Sequence, residues 1–169
     1  MLSVPVVADS SVLITFAKSK KLDWLLDAFD SPLLIPPAVY EETVTRGLEK
    51  KEPDARVIDS AVKRGAIAVK KVKKHLDLPF LDSGEASVLA LALEQRIQTV
   101  CIDESPARSA ANRLGLTPVG TLGVLILLLK RKRVNQMQVL SAVDDMVRRD
   151  FRISAKILEK FRKELTMLG

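Results

Sequence analysis

Two aspartates follow the apolar segments of this chain that predict buried strands. Asp9 comes directly after the run at 4–8, and Asp103 follows the run at 99–102. Ligands bind beyond the carboxyl ends of the strands in an open parallel sheet, so we expect both carboxylates at one sheet edge. Carboxylates gathered there could bind a divalent cation and support metal-assisted hydrolysis.

Three glutamates could join these aspartates. Glu85 lies in the first turn of a predicted helix, and Glu41 and Glu42 lie about two turns into the helix that begins at 36–37. Two carboxylates about 4 Å apart repel by about 4 kcal/mol at an effective dielectric constant near 20, so a cluster must take up protons or bind cations. Oxygen ligands without a histidine or thiolate pattern favour Mg²⁺ or Mn²⁺, and the matching chemistry is phosphodiester hydrolysis.

A purely structural role is also open for each acid. Asp9 could cap the helix that follows it, as could the serines next to it. Asp82 and Glu85 have the spacing of a capping box. Asp103 or Glu104 could cap the helix that begins next, and the two neighbouring glutamates could be solvated surface residues.

Other catalytic classes have weaker support. Ser10 or Ser11 would need a base, but the one histidine, His75, follows a lysine cluster in a predicted loop. The one cysteine, Cys101, lies in an apolar strand, where burial predicts an inert thiol. No glycine-rich phosphate loop occurs. Arg108, on the helix after Asp103, could contact a phosphate backbone or be solvated.

The positive charge is concentrated near the end of the chain. The 169 residues carry a net charge of +6, and from residue 130 onward there are 11 Lys or Arg against 5 Asp or Glu. A basic extension on a neutral body favours an anionic partner such as nucleic acid, although the same residues could simply solvate helix surfaces. Four further lysines lie within 70–74.

Strands that alternate with helices predict an α/β fold. We expect a parallel sheet of four to five strands in one domain, with a core at 1–133 and basic helices at 134–169. The longest apolar run, 122–129, is far shorter than the roughly 20 residues of a membrane span and is expected in the core. Because no leader pattern opens the chain, we expect a soluble cytoplasmic protein.

Four motifs make the sequence resemble the PIN-domain family, the nuclease fold of VapC-type toxins. They are VVADSSVLI at 6–14, IPPAVYEE at 35–42, GEASVLALA at 84–92 and VCID at 100–103. Their order and spacing match the acidic motifs of that family across most of the chain. The third motif resembles a less characterised branch marked by Gly-Glu-Ala.

The resemblance implies a three-layer α/β/α fold and a ribonuclease site dependent on Mg²⁺ or Mn²⁺. The acids that match the family motifs, both as metal ligands and as catalytic residues, are Asp9, Glu42, Glu85 and Asp103. Possible supporting residues are Ser11, Glu41 (the alternative to Glu42), Glu104 and Arg108. The resemblance also implies an RNA substrate, a homodimer and, as in many relatives, an antitoxin protein as partner.

Two departures from the family pattern bear on activity. Glu85 stands where many members have Asp, and Cys101 stands where the nucleases often have Thr or Ser. An inactive PIN-fold module that binds nucleic acid or protein is therefore the alternative function. A hydrolase that forms a phosphoryl intermediate on Asp9 is disfavoured, since Ser11 breaks the Asp-x-Asp pattern of such enzymes.

Overall fold

Five short parallel strands form the single sheet in the computed structural model, which describes residues 4–168. The strands are β1 (Val6–Ala8), β2 (Leu33–Ile35), β3 (Ile67–Val69), β4 (Thr99–Cys101) and β5 (Thr117–Val119). Their order across the sheet is β3-β2-β1-β4-β5. The predicted α/β class and the upper strand number are confirmed.

Helices connect the strands and extend the chain beyond them. They are α1 (Ser10–Lys18), α2 (Leu22–Asp27), α3 (Pro37–Tyr40), α4 (Arg46–Glu49), α5 (Pro53–Lys63), α6 (Ser83–Gln95), α7 (Ser105–Arg113), α8 (Thr121–Lys130), α9 (Gln136–Arg148) and α10 (Ala155–Leu168). The boundaries agree with the apolar runs, with Pro37, Pro53 and Pro106 in the first turns of their helices.

The direction of chain crossing reverses at β1. From β1 the chain proceeds to β2 and β3, and then returns past β1 to form β4 and β5. Since parallel crossovers are right-handed, the reversal puts α6 and α7 on the face opposite α1 and α5. The register pairs Ala8 with Cys101, so the crevice between β1 and β4 opens beside Asp9.

One π-helical turn, Glu41–Thr45, interrupts the helix between α3 and α4. Thr43 is buried there, and its hydroxyl donates to the carbonyl of Val39 at 2.8 Å. Beyond the turn, Gly47 packs so closely on α5 that an added Cβ would lie 2.6 Å from the Cβ of Ala55. The segment around the two glutamates is therefore held from both sides.

The apolar helix α8 lies in the core, as predicted for 122–129. Val124 and Leu125 are fully buried, and α8 contacts α1, α2, α9 and α10. At its end, Arg131 donates to the carbonyl of Ala28 and forms an ion pair with Asp30 at 2.9 Å. No helix within residues 4–168 is both long and apolar enough to cross a membrane. The division of the chain at residue 133 stays a prediction.

Candidate active site

Asp9 lies at the carboxyl end of the central strand and caps α1. Its carboxylate accepts a hydrogen bond from the amide of Ser10 at 2.5 Å, and its own amide donates to the carbonyl of Cys101 at 3.0 Å. The residue is only 4% exposed. The predicted capping role is confirmed for Asp9 rather than for the serines, and it holds the carboxylate at the crevice.

The two adjacent glutamates point in different directions. The hydroxyl of Ser10 donates to Oε2 of Glu42 at 3.0 Å, which joins Glu42 to the first turn of α1. Glu41 instead forms an exposed ion pair with Arg46 at 3.5 Å. Glu42 is therefore the glutamate that the fold brings toward Asp9.

The first turn of α6 supplies two more acids. Asp82 accepts from the amide of Glu85 at 2.8 Å, and Glu85 accepts from the amide of Asp82 at 3.1 Å. This is the capping box that the spacing predicts. Between them, an added Cβ on Gly84 would lie 3.1 Å from Oε2 of Glu42 and 3.3 Å from Oδ1 of Asp82. The bare backbone of Gly84 thus gives these carboxylates room.

These four acids, Asp9, Glu42, Asp82 and Glu85, are called the acidic pocket below. Burial, together with the charges of Glu85, Asp82 and Glu42, raises the pKa of Asp9 to about 7 against the lowering effect of the Ser10 amide. Burial also raises the pKa of Glu85, and the negative charges of Asp82, Glu104 and Glu42 raise it as well. The pocket therefore favours a proton or a cation near Asp9.

Asp103 is at the same sheet edge but is bound to α8. It accepts from the amide and the hydroxyl of Thr121, each at 2.7 Å. Burial raises its pKa, whereas the Thr121 bonds and the nearby Arg108 lower it. Arg108 also donates to the carbonyl of Ile102 at 3.0 Å. Of the two residues expected to cap α7, Glu104 occupies the N-cap position but its side chain makes no capping hydrogen bond, and Asp103 bonds to α8 instead.

The donor set suits a hydrated divalent cation. Within residues 4–168, no three His, Cys, Asp or Glu side chains converge closely enough to surround a metal ion. Mg²⁺, however, keeps several waters and often takes only one or two carboxylates. Carboxylate oxygens around a buried Asp9 supply such ligands, and the cation would offset their mutual repulsion.

Comparison with protein families decides the classification. A family model described as PIN domain matches residues 5–167, nearly the whole chain. The chain belongs to the PIN-domain family. A comparison with curated proteins found no match. PIN domains are generally nucleases and typically use divalent metal ions, and this PIN domain has the expected five-stranded parallel sheet with flanking helices.

The remaining polar candidates of this PIN domain differ in their surroundings. The Ser11 hydroxyl is buried and has no hydrogen-bond partner in the described part of the chain. Cys101 is fully buried, and burial raises the pKa of its thiol, which agrees with an inert side chain. His75 is exposed in the segment after β3, and Glu104 is exposed beside α7.

Three contributors to the candidate site went unrecognised from the sequence of this PIN domain. Ser10 orients Glu42, Asp82 adds charge near Asp9, and Thr121 holds Asp103. Asp82 carried a signal, since a capping box places its two acids together at a helix start. Ser10 and Thr121 act through contacts between residues that are distant in sequence, and local spacing does not predict such contacts.

Proposed function

We propose that this PIN domain is a divalent-metal-dependent ribonuclease that hydrolyses phosphodiester bonds. The main support is the acidic pocket at the β1–β4 crevice, where burial and three neighbouring carboxylates raise the pKa of Asp9 to about 7. A catalytic or ligand-binding group with a strongly shifted pKa in a sheet-edge crevice is typical of a functional site. Family membership favours the same activity.

In this proposal Asp9, Glu42 and Glu85 hold one or two Mg²⁺ or Mn²⁺ ions, directly or through water, and Asp103 is the fourth acid. When bound, the ion supplies an activated water and stabilises the leaving oxygen. Ser10 orients Glu42 through its 3.0 Å hydrogen bond. The partnerless Ser11 hydroxyl is available to a ligand or to a bound water.

Neighbouring side chains set the charge of the site. Arg108 lowers the pKa of Asp103 and can attract a phosphate oxygen, whereas Glu104 adds negative charge beside Glu85. Thr121 fixes the Asp103 carboxylate with two hydrogen bonds. These contacts orient the acids before substrate binds, which reduces the cost of organising the site.

The biological role we propose is the toxin of a toxin–antitoxin pair, acting on RNA as a homodimer. Family resemblance supports this role, and the basic C-terminal helices supply charge for an RNA backbone. An antitoxin would bind the toxin and block cleavage. Co-expression of the chain with the neighbouring open reading frame tests the pairing: rescue of cell growth supports it, and unchanged growth inhibition contradicts it.

Cleavage of a labelled RNA tests the enzymatic proposal. The full chain is incubated with Mg²⁺, Mn²⁺ or EDTA, alongside Asp9→Asn and Glu42→Gln. Both substitutions should reduce the rate about 100-fold or more, because bound metal contributes several kcal/mol to transition-state stabilisation. Glu41→Gln is the matched control, since Glu41 is exposed and paired with Arg46. Equal rates for Glu41→Gln and Glu42→Gln would contradict the assignment.

A second candidate is a PIN-fold module that binds nucleic acid or protein without turnover. Two observations favour it: Asp103 is engaged by Thr121, and within the described residues no three acids lie close enough together to surround a metal ion. No cleavage by the parent chain with any divalent ion, together with retained RNA binding, would select the module. Cleavage that is lost in Asp9→Asn while RNA affinity holds would select the enzyme.

A further inference from the structure

A tight turn next to the acidic pocket presents an aromatic ring to solvent. Phe80 is 87% exposed, and the turn that carries it is closed by the amide of Leu81, which donates to the carbonyl of Leu78 at 3.0 Å. Both leucines pack against the core. Pro79, at the second position of the turn, restricts the backbone further. The ring is therefore exposed on a rigid support rather than on a loose loop.

The turn lies at the edge of the acidic pocket. Asp82, two residues after Phe80, caps α6 and contributes to the raised pKa of Asp9. Two residues span at most about 7 Å of chain, so the Phe80 backbone lies close to the Asp82 backbone. The capping box between Asp82 and Glu85 fixes this end of the segment.

A basic stretch lies on the other side of the turn. The amides of Lys73 and Lys74 donate to Oε1 of Glu94 at 2.8 and 2.6 Å, which attaches the stretch to the last turns of α6. Glu94 is nine residues beyond Glu85, or about 14 Å along the helix axis. The exposed side chains here are Lys70, Lys71, Lys73, Lys74 and His75. Cations, an aromatic ring and carboxylates thus follow one another along α6.

We propose that Phe80 stacks on one unpaired base of a single-stranded RNA, while the lysines of 70–74 contact its backbone. The inference rests on the proposed ribonuclease function and adds to it a base-stacking subsite outside the acidic pocket. An aromatic ring beside a basic track is the usual platform for single strands, because every base has a π face. A base within a duplex is already stacked and does not reach such a ring.

The surroundings of Phe80 favour a base over a protein partner. The exposed residues nearest to Phe80 in the sequence are Asp77, Pro79, Asp82 and Ser83, of which only Pro79 is apolar. Protein interfaces need a contiguous surface with an apolar centre, whereas one stacked base needs only a single ring. The lysines also match the phosphate charge of RNA.

Binding of a fluorescein-labelled single-stranded RNA of about 12 nucleotides, in EDTA, tests the inference apart from cleavage. Phe80→Ala should weaken binding about 5- to 100-fold, the range for stacking one base on an aromatic side chain. Phe80→Tyr should bind as the parent does. Phe80→Leu, which is apolar but has no ring, should weaken binding as Phe80→Ala does. A duplex of equal length should show no dependence on Phe80.

The control is Val57→Ala, an exposed apolar residue (42%) on α5, on the opposite face of the sheet from α6, which should leave RNA affinity unchanged. If Phe80→Leu binds RNA as the parent does, the stacking proposal is overturned. Unchanged RNA affinity in Phe80→Ala with loss of self-association, measured by sedimentation, would overturn it in favour of a protein contact. Phe80-dependent binding without any cleavage would support stacking while contradicting the ribonuclease proposal.

Discussion

Thr121 donates two hydrogen bonds to Asp103, one from its amide and one from its hydroxyl, each 2.7 Å long. The pair joins the end of β4 to the first turn of α8 across 18 residues of sequence. Thr121 is fully buried, so its hydroxyl is shielded from solvent. Asp103 consequently has a structural partner as well as a proposed role in metal binding.

Removing the Thr121 hydroxyl should weaken the fold and alter Asp103. We expect Thr121→Val to lower the free energy of unfolding by about 1–3 kcal/mol, the usual cost of a lost bond to a charged group. The pKa of Asp103 should rise, because the hydroxyl stabilises the carboxylate. Urea unfolding and an NMR titration of the carboxyl carbon measure these changes. Thr121→Ser keeps the hydroxyl and should preserve the pKa; a parental pKa in Thr121→Val would contradict the expectation.

Asp9 should make the metal-free protein less stable as the pH rises. Its pKa is about 7 in the folded chain against 3.8 for an ordinary aspartate, so between about pH 4 and 7 the folded state holds a proton that the unfolded state has lost. The free energy of unfolding therefore falls as the pH rises from about 4 to 7. Above about pH 7, Asp9 causes no further change. Binding of Mn²⁺ should strengthen over the same range, because the proton competes with the cation.

Asp9→Asn removes this penalty and keeps an oxygen that can cap α1. In EDTA at pH 8 we expect the variant to be more stable than the parent, by up to about 4 kcal/mol, and near pH 4 the two should agree. Urea unfolding across the pH range measures the difference. Glu41→Gln, a change at an exposed acid, should follow the parent curve. If the free energies of unfolding of Asp9→Asn and the parent differed by the same amount at every pH, burial of the Asp9 charge would not be the cause of the difference.

Gly84→Ala should separate stability from metal binding. Alanine is the better helix former by about 1 kcal/mol, so the helix itself should not be weakened. Its Cβ would, however, lie 3.1 Å from Oε2 of Glu42, a flexible carboxylate that can move aside. We expect unchanged or higher thermal stability in EDTA and a roughly tenfold loss of Mn²⁺ affinity by calorimetry. Ser83→Ala at the exposed neighbouring position is the control, and retained Mn²⁺ affinity in Gly84→Ala would refute this role.

Local patterns predicted the elements of the fold well. Val6 and Val7 are fully buried, and a short apolar run before an acid is enough to indicate a central strand. The capping box at Asp82 and Glu85 likewise depends on a spacing of three residues. Even Pro118 fits, because β5 is an edge strand, where a missing amide is tolerated.

The orientation of individual acids was harder to predict. Regular helical geometry does not decide between Glu41 and Glu42 when a π turn changes the rotation per residue. The bond between Asp103 and Thr121 requires knowing where α8 begins relative to β4, which is a property of the assembled fold. Motif order thus indicated which edge carries the acids, but the contacts of each carboxylate emerge only in three dimensions.

The π turn at Glu41–Thr45 has a consequence for sequence variation. Such a turn holds one more residue than an ordinary helical turn, so deleting a single residue there would restore α-helical winding. Because the π turn absorbs the extra residue, the deletion would leave the segments on either side close to their present orientation and would move chiefly the side chains within the turn. Gly47 would remain seated against Ala55, while Glu42 would swing away from Ser10. A one-residue deletion in this turn should therefore displace Glu42 from the acidic pocket while the helical segments on either side keep their packing.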